Sequence, residues 1–281
     1  MSKQRKRTNK NVLTFGSLFA GIGGFDLGFE RAGMSCRWQV EIDDYANRVL
    51  EKHWPSVHRE RDIRECGKHN LERVDVICGG FPCQDISYAG RGAGLDGERS
   101  GLFFEAIRLV RELQPRIIVL ENVAALLSRG LDRVLGTLAE IGFDAEWHCI
   151  PAAAVGAPHI RDRLFVIGIR QGDSPHAECE QRNRRWKQFE KGSKEAGREI
   201  YHSDRRRYRT PEEQIQPRRP SIEPSTWWDT EPAVGRVANG IPNRVDRLRG
   251  LGNAVVPAVA EWIGKQIVER INDGEATEAN Q

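Results

Sequence analysis

Apolar residues fall in short blocks along this chain, and strand-like blocks alternate with helix-like ones. Val12 to Ala20, VLTFGSLFA, is a compact run that reads as a buried strand. It enters Gly21-Ile-Gly-Gly24, after which Phe25 to Arg31 carries apolar residues at helical spacing up to Gly33. Ser35 to Ile42 predicts a second strand ending at Glu41. Asp43 or Asp44 then caps a helix through Tyr45, Val49, Leu50 and Trp54 that stops before Pro55. Asp62 closes a third strand, and Val74 to Cys78 forms a fourth that meets two glycines. A helix over Leu102 to Leu113 is broken by Pro115, and strand Arg116 to Leu120 leads to Glu121-Asn122. A helix near 131–141, strands near 145–151 and 164–169, and a helix from Pro257 to Ile271 follow. Strands and helices alternating at these lengths predict an α/β fold, a mostly parallel sheet of about seven strands with helices on both faces.

Composition changes the picture at two places. The first eleven residues hold Lys3, Arg5, Lys6, Arg7 and Lys10 without an acid, which predicts a basic flexible arm over 1–11. From Gln171 to Pro220 apolar residues thin out, and basic groups recur at Arg184-Arg185, Arg205-Arg206-Arg207 and Arg218-Arg219 among Trp186, Tyr201 and Tyr208. Arginine with aromatics suits phosphate and base contact; a solvated linker is the other reading. The tail over 272–281 is expected to fray. The net charge of +3 is too small to argue for nucleic acid by itself. No apolar stretch is long enough to span a membrane. The six cysteines form no CxxC pair and no metal-ligand spacing, so reduced thiols in a cytoplasmic compartment and no metal are expected.

Two stretches carry candidate chemistry. Gly79-Gly-Phe-Pro-Cys83-Gln-Asp-Ile-Ser87 follows the strand at 74–78, so Cys83 would stand at a strand's carboxyl end, where open α/β sheets place ligands. It is either a nucleophile on a rigid turn or a small buried hydrophobe. Gly21, Gly23 and Gly24 open the first helix, and Glu41 follows Gly21 by 20 residues, as an acceptor for ribose hydroxyls would. The spacing is GxGG rather than GxGxxG, so an adenosyl ligand without a pyrophosphate, S-adenosylmethionine, fits better than a dinucleotide. Asp62 could take an adenine amino group.

Together these segments resemble the DNA (cytosine-5)-methyltransferase family in its compact bacterial or phage form. The resemblance rests on FGSLFAGIGGFDLGFERAG (15–33), Glu41, Asp62, GGFPCQDISYAGRGAGLDGERSGLFFE (79–105), ENV (121–123), HIRDRLFVIG (159–168) and RLRGLGNAVVP (247–257). It implies the S-adenosylmethionine-dependent methyltransferase fold, with 12–170 and 236–271 as the catalytic and cofactor-binding domain and 171–235 as a target-recognition region. By position it implies Cys83, Glu121, Asn122, Arg161 and Arg163 as catalytic residues. Cofactor contacts would come from Phe19, Gly21, Gly23, Glu41, Ile42, Asp62, Ile63, Pro82, Leu102 and Asn253. DNA contacts would come from Arg91 and Arg99, in the Gly-rich loop 88–100, and from Arg184, Arg185, Arg206 and Arg207. Ser17 stands where the family usually has Asp, and His159 where it usually has Gln.

The implied reaction is methyl transfer to carbon 5 of cytosine in double-stranded DNA, leaving S-adenosylhomocysteine. The implied protein is a nucleoid-associated monomer, with a cognate restriction endonuclease as candidate partner. A thiolate adding to carbon 6 makes carbon 5 nucleophilic. A protonated Glu121 would meet charge at ring nitrogen 3, and Arg163 would hold the ring carbonyl. Because the target atom is inaccessible in a stacked duplex, the base must be flipped out. Glu121 as a helix-capping acid and Arg163 as a surface partner of Asp162 are the structural alternatives. An RNA (tRNA) cytosine-5 methyltransferase and a non-catalytic DNA-binding relative remain open as functional ones.

Overall fold

A computed structural model of the chain describes residues 12–82, 101–171 and 244–278. Seven strands, β1 (Thr14–Leu18), β2 (Ser35–Val40), β3 (His58–Glu60), β4 (Val76–Gly80), β5 (Ile117–Val123), β6 (Phe143–Pro151) and β7 (Asp162–Arg170), form one sheet. Their order is β3-β2-β1-β4-β5-β7-β6. The first five run parallel, and β7 lies antiparallel between β5 and β6. The strand order reverses between β1 and β4, which opens a crevice beyond their carboxyl ends.

Among the described residues six α-helices, α1 (Gly24–Arg31), α2 (Asp44–His53), α3 (Gly101–Leu113), α4 (Leu131–Glu140), α5 (Arg244–Asn253) and α6 (Pro257–Glu278), accompany the sheet. Phe25 and Phe29 of α1 with Val259, Ile263 and Ile267 of α6 pack on one face. Phe103, Ile107 and Val110 of α3 with Val134 and Leu138 of α4 pack on the other. Val76, Ile77, Cys78, Ile118 and Val119 are wholly buried between these layers, which is why β4 and β5 read as continuous apolar runs rather than alternating ones. Among the described residues no helix is long and apolar enough to cross a membrane.

Helices α1 and α6 meet along small residues spaced four apart. A Cβ on Gly24 would stand 2.3 Å from the Val255 carbonyl oxygen, and one on Gly28 2.5 Å from the Ala260 Cβ and 2.6 Å from the Pro257 oxygen. One on Gly264 would stand 2.7 Å from the Ala32 Cβ. The close approach binds the carboxyl-terminal helix to the segment that follows β1.

The structure departs from the sequence pattern in several places. Gly79 and Gly80 do not leave the sheet; they pair with Leu120 and Glu121 as the last residues of β4. Strand β5 runs on through Glu121 and Asn122 to Val123. Helix α6 continues to Glu278, past Asn272, where a frayed tail was expected; no proline interrupts 272–278, and Glu275, Ala276 and Glu278 are acceptable helix residues. Helix α5 was not anticipated, because its polar sequence carries no apolar stripe. The basic arm (1–11) and the target-recognition region (171–235), apart from Gln171, lie outside the described residues.

Gly28→Ala is expected to destabilise the fold by about 1–3 kcal/mol, since the added methyl meets backbone that cannot withdraw. Gly136→Ala on α4, where nothing lies within 4 Å, should instead be neutral or stabilising by up to about 1 kcal/mol. Urea unfolding of the two variants measures both.

Candidate active site

The chain leaving β1 winds tightly: Phe19 (φ 51°), Gly21 (φ 57°) and Gly23 (φ 86°) all have left-handed backbone. Glycine adopts this freely, whereas Phe19 is a strained exception of the kind that gathers at functional sites. Glu41, just past β2, fixes the loop. Its Oε2 accepts from the Gly21 N–H at 2.7 Å and its Oε1 from the Asp43 N–H at 2.8 Å. Burial raises the Glu41 pKa above its ordinary value, against the opposing pull of backbone N–H donors such as Gly21 and of the Arg61 and Arg249 charges. Each oxygen keeps a lone pair for a ligand. Asp43 in turn caps α2, accepting from the Ala46 N–H at 2.9 Å, and pairs with Arg249 of α5.

These groups border a cavity of about 740 Å³. Phe19, Gly21, Glu41, Ile42, Asp62, Ile63, Pro82, Leu102 and Asn253 all line it. Gly23 does not; it starts α1, and a Cβ there would collide with the Trp54 ring at 2.4 Å. Ile42 is 61% exposed, an apolar side chain held open beside the acidic Glu41. The Asp62 carboxylate receives Nε of Arg64 at 2.9 and 3.1 Å, and these bonds hold its pKa below the ordinary value.

The far end of the same cavity is different in character. Glu121, Asn122 and Arg163 line it beside Phe81 and Pro82. Glu121 is only 8% exposed, and its Oε1 lies 2.9 Å from Nε of Arg163. Burial pushes its carboxyl up to about 7, although Arg163 and Arg161 oppose the shift. A carboxyl group with that pKa is part-protonated near neutrality and can act as a proton donor. The strands enforce the contact. Glu121 stands opposite Gly80 in β4, where a Cβ would approach its Oε2 to 2.6 Å. Arg163 stands opposite Val123, one diagonal step away on the same face of β5. Asn122 turns the other way: its Nδ2 donates to the Phe81 oxygen at 3.1 Å, while its Oδ1 accepts from the Val123 N–H at 2.8 Å. It thus anchors the backbone that leads into Pro82 and Cys83.

Cys83, Arg91 and Arg99 lie outside the described residues, as do Arg184, Arg185, Arg206 and Arg207. Arg161 does not line the cavity; its guanidinium donates to the Gly252 and Ala254 oxygens. Sequence reasoning named Asp43 only as a helix cap and did not single out Arg64 or Arg249, whose pairing partners, Asp62 and Asp43, were not legible. Among the described residues no cluster of His, Cys, Asp or Glu is arranged to hold a metal.

Behind the β1 loop lies a buried polar cluster. Asp26 of α1 is wholly buried and accepts from Ser17 Oγ at 3.1 Å, Gln39 Nε2 at 2.8 Å and Cys36 Sγ at 3.5 Å. A carboxylate thus reaches Ser17, the position where Asp is usual in the family it resembles, from the neighbouring helix. Burial raises the Asp26 pKa to about 6. Burial likewise raises the thiol pKa values of Cys36 and Cys78 beside it, which keeps them protonated and unreactive.

The seven-stranded sheet, with β7 antiparallel between β5 and β6 and a crevice beyond β1 and β4 that ends in a buried acid–arginine pair, is an α/β fold of the methyltransferase class. Residues 13–231 match the C-5 cytosine-specific DNA methylase family, and the chain belongs to that family. It is 36% identical over 171 residues to the type II methyltransferase M.Eco47II of Escherichia coli, covering 58% of this chain and 41% of that one. To the type II methyltransferase M.HhaI of Haemophilus parahaemolyticus it is 35% identical over 162 residues, covering 56% and 49%. The matched part thus spans about half the length of these relatives. The solved structure of the Entamoeba histolytica methyltransferase EhMeth shares the fold at a TM-score of 0.51 and 16% identity, over 59% of this chain and 55% of that one.

Because the Asp26 pKa is raised from 3.8 to about 6, the native state favours its neutral form. Its contribution to stability is present at and below pH 4 and is lost as pH rises through 6, by at most about 2–3 kcal/mol. In urea titrations Asp26→Asn should therefore gain stability relative to wild type between pH 4 and pH 7. A constant difference across that window would refute the assignment.

Proposed function

We propose that the protein transfers a methyl group to carbon 5 of cytosine in double-stranded DNA, with Cys83 as nucleophile and the target base turned out of the duplex into the cavity. The observation that carries this reading is the buried Glu121–Arg163 pair, 2.9 Å apart, facing Gly80 at the end of β4, three residues before Cys83. Family membership and the type II methyltransferase names of its relatives support it.

The near end of the cavity fits S-adenosylmethionine. Glu41 retains acceptor capacity suited to ribose hydroxyls, Ile42 offers an apolar surface to a purine, and Asp62 offers an acceptor to an amino group. The left-handed turn at Phe19–Gly21 and the Gly252–Asn253 segment complete the wall without bulk. When bound there, the cofactor supplies an electrophilic methyl group on a sulfonium.

Cytosine carbon 5 needs activation before it can accept that methyl group. Addition of the Cys83 thiolate to carbon 6 forms a carbon–sulfur bond and pushes the ring electrons towards carbon 5 and nitrogen 3. Glu121, held near its protonation midpoint at neutral pH, donates to nitrogen 3 as that charge develops. Arg163, permanently charged, stabilises the ring carbonyl oxygen and keeps Glu121 oriented. Asn122 holds the Phe81 carbonyl and so fixes the backbone two residues before Cys83. Once carbon 5 is methylated, loss of its proton to a base and departure of the Cys83 thiolate restore the aromatic ring.

Expression in a host without cytosine methylation, followed by bisulfite sequencing, should reveal modified cytosines in a defined sequence context. Cys83→Ser should abolish the modification while leaving cofactor binding intact; undiminished methylation by that variant would defeat the mechanism. Because the working form of Glu121 is the acid, kcat/KM is expected to fall as pH rises through about 7. Glu121→Gln should remove that falling limb and lower the rate by about 10²–10⁴. A pH–rate series on both proteins with a methylatable duplex checks the two effects.

A further inference from the structure

Arg161 and Arg163 are two residues apart, yet their guanidinium groups serve opposite sides of the cavity. Arg161 has left-handed backbone at φ 39°, a conformation a long side chain rarely keeps unless its surroundings enforce it. While Arg163 reaches Glu121, Nη2 of Arg161 donates to the Gly252 oxygen and to the Ala254 oxygen, each at 2.7 Å. These carbonyls flank Asn253, the last residue of α5. Carbonyls at a helix carboxyl terminus lack intrahelical donors, and a cation there also meets the negative end of the helix dipole. Gly252 and Asn253 line the cavity beside Gly21 and Glu41. The contacts therefore cross more than ninety positions of sequence, from the amino end of β7 to the wall on the cofactor side.

We propose that Arg161 is a positioning residue for the cofactor: it clamps the 252–254 backbone against the cavity and ties that wall to the strand bearing Arg163. The inference rests on reading this cavity as the S-adenosylmethionine site. Helix α5 has few other holds near its end. Arg249 pairs with Asp43, and Gly250 lies against Ile22 and Tyr45. Leu251 is 64% exposed. Without the two Arg161 Nη2 contacts, the segment would keep its sequence but lose its fixed place. Lysine retains the charge but not the rigid planar guanidinium that aims Nη2 between the two carbonyls, and should replace arginine only in part.

The test uses the full chain without DNA and reads S-adenosylmethionine affinity by calorimetry together with amide hydrogen exchange. Arg161→Ala should weaken cofactor binding about tenfold, the loss of a charged hydrogen-bond pair. Exchange should quicken at 250–255 while the amides of β4 and β5 stay protected. In turnover, KM for the cofactor should rise by more than kcat falls. Arg161→Lys should bind about threefold more weakly than wild type, and it decides the matter if the alanine variant does not fold. Wild-type affinity in either folded variant would overturn the proposal. So would a fall in kcat with unchanged cofactor affinity, which is the mark of a direct contact with the base. Failure of the wild-type protein to bind S-adenosylmethionine would instead overturn the reading of the cavity, and this inference with it.

Discussion

The space a side chain would need at Gly80 is already filled by the carboxyl group of Glu121, and much of the site follows from that exclusion. Strands β4 and β5 stay in register to their ends only because Gly79 and Gly80 carry no Cβ; at Gly79 one would come within 2.6 Å of the Leu18 oxygen. The glycines therefore let three neighbouring strands converge, rather than let the chain turn away. Convergence buries Glu121, burial raises its pKa, and the antiparallel β7 brings in Arg163, the cation paired with it. Shifting β7 by a single residue would send Arg163 to the opposite face, so the antiparallel pairing itself sets the Glu121–Arg163 contact.

The two ends of the cavity are built on different principles. On the side of β1 and β2 the wall is shaped mainly by backbone: Phe19 and Gly21 are left-handed, and Glu41 accepts from the Gly21 and Asp43 N–H groups. On the side of β5 and β7 a pair of ionisable side chains is withdrawn from water, where its electrostatics are strong. A single continuous cavity thus combines a rigid cradle with a site able to hand over a proton. Asn122 links the halves mechanically, since it sits beside Glu121 and holds the backbone of the segment carrying Cys83.

Much of this was legible in the residues. Short β-branched runs alternating with helical spacing indicated a mostly parallel sheet of seven strands, because strands buried on both faces must be apolar throughout. Glu41 and Asp62 were singled out because they follow strands, where a parallel sheet exposes its ligand-facing ends, whereas Glu121 and Asn122 were reached through the ENV motif. Arg163 was reached only through the family motif, since it begins a strand instead of ending one. The true roles of Gly79, Gly80 and Gly28 were hidden, for a glycine needed to admit a distant neighbour looks like one needed for a turn. Arg161 was similarly opaque. Its carbonyl partners lie more than ninety residues away, and nothing in local spacing marks a side chain that serves remote backbone.

The glycine seam between α1 and α6 also carries a consequence for biosynthesis. Phe25, Phe29 and Gly28 emerge from the ribosome early, but the helix that covers them starts at Pro257, roughly two hundred residues later. At ordinary translation speeds of about 5–20 residues per second, that apolar surface waits on the order of 10–40 s for its cover. Completion of this face of the fold therefore waits on a distant helix, and the nascent chain presents an apolar helix surface that chaperones would be expected to shield.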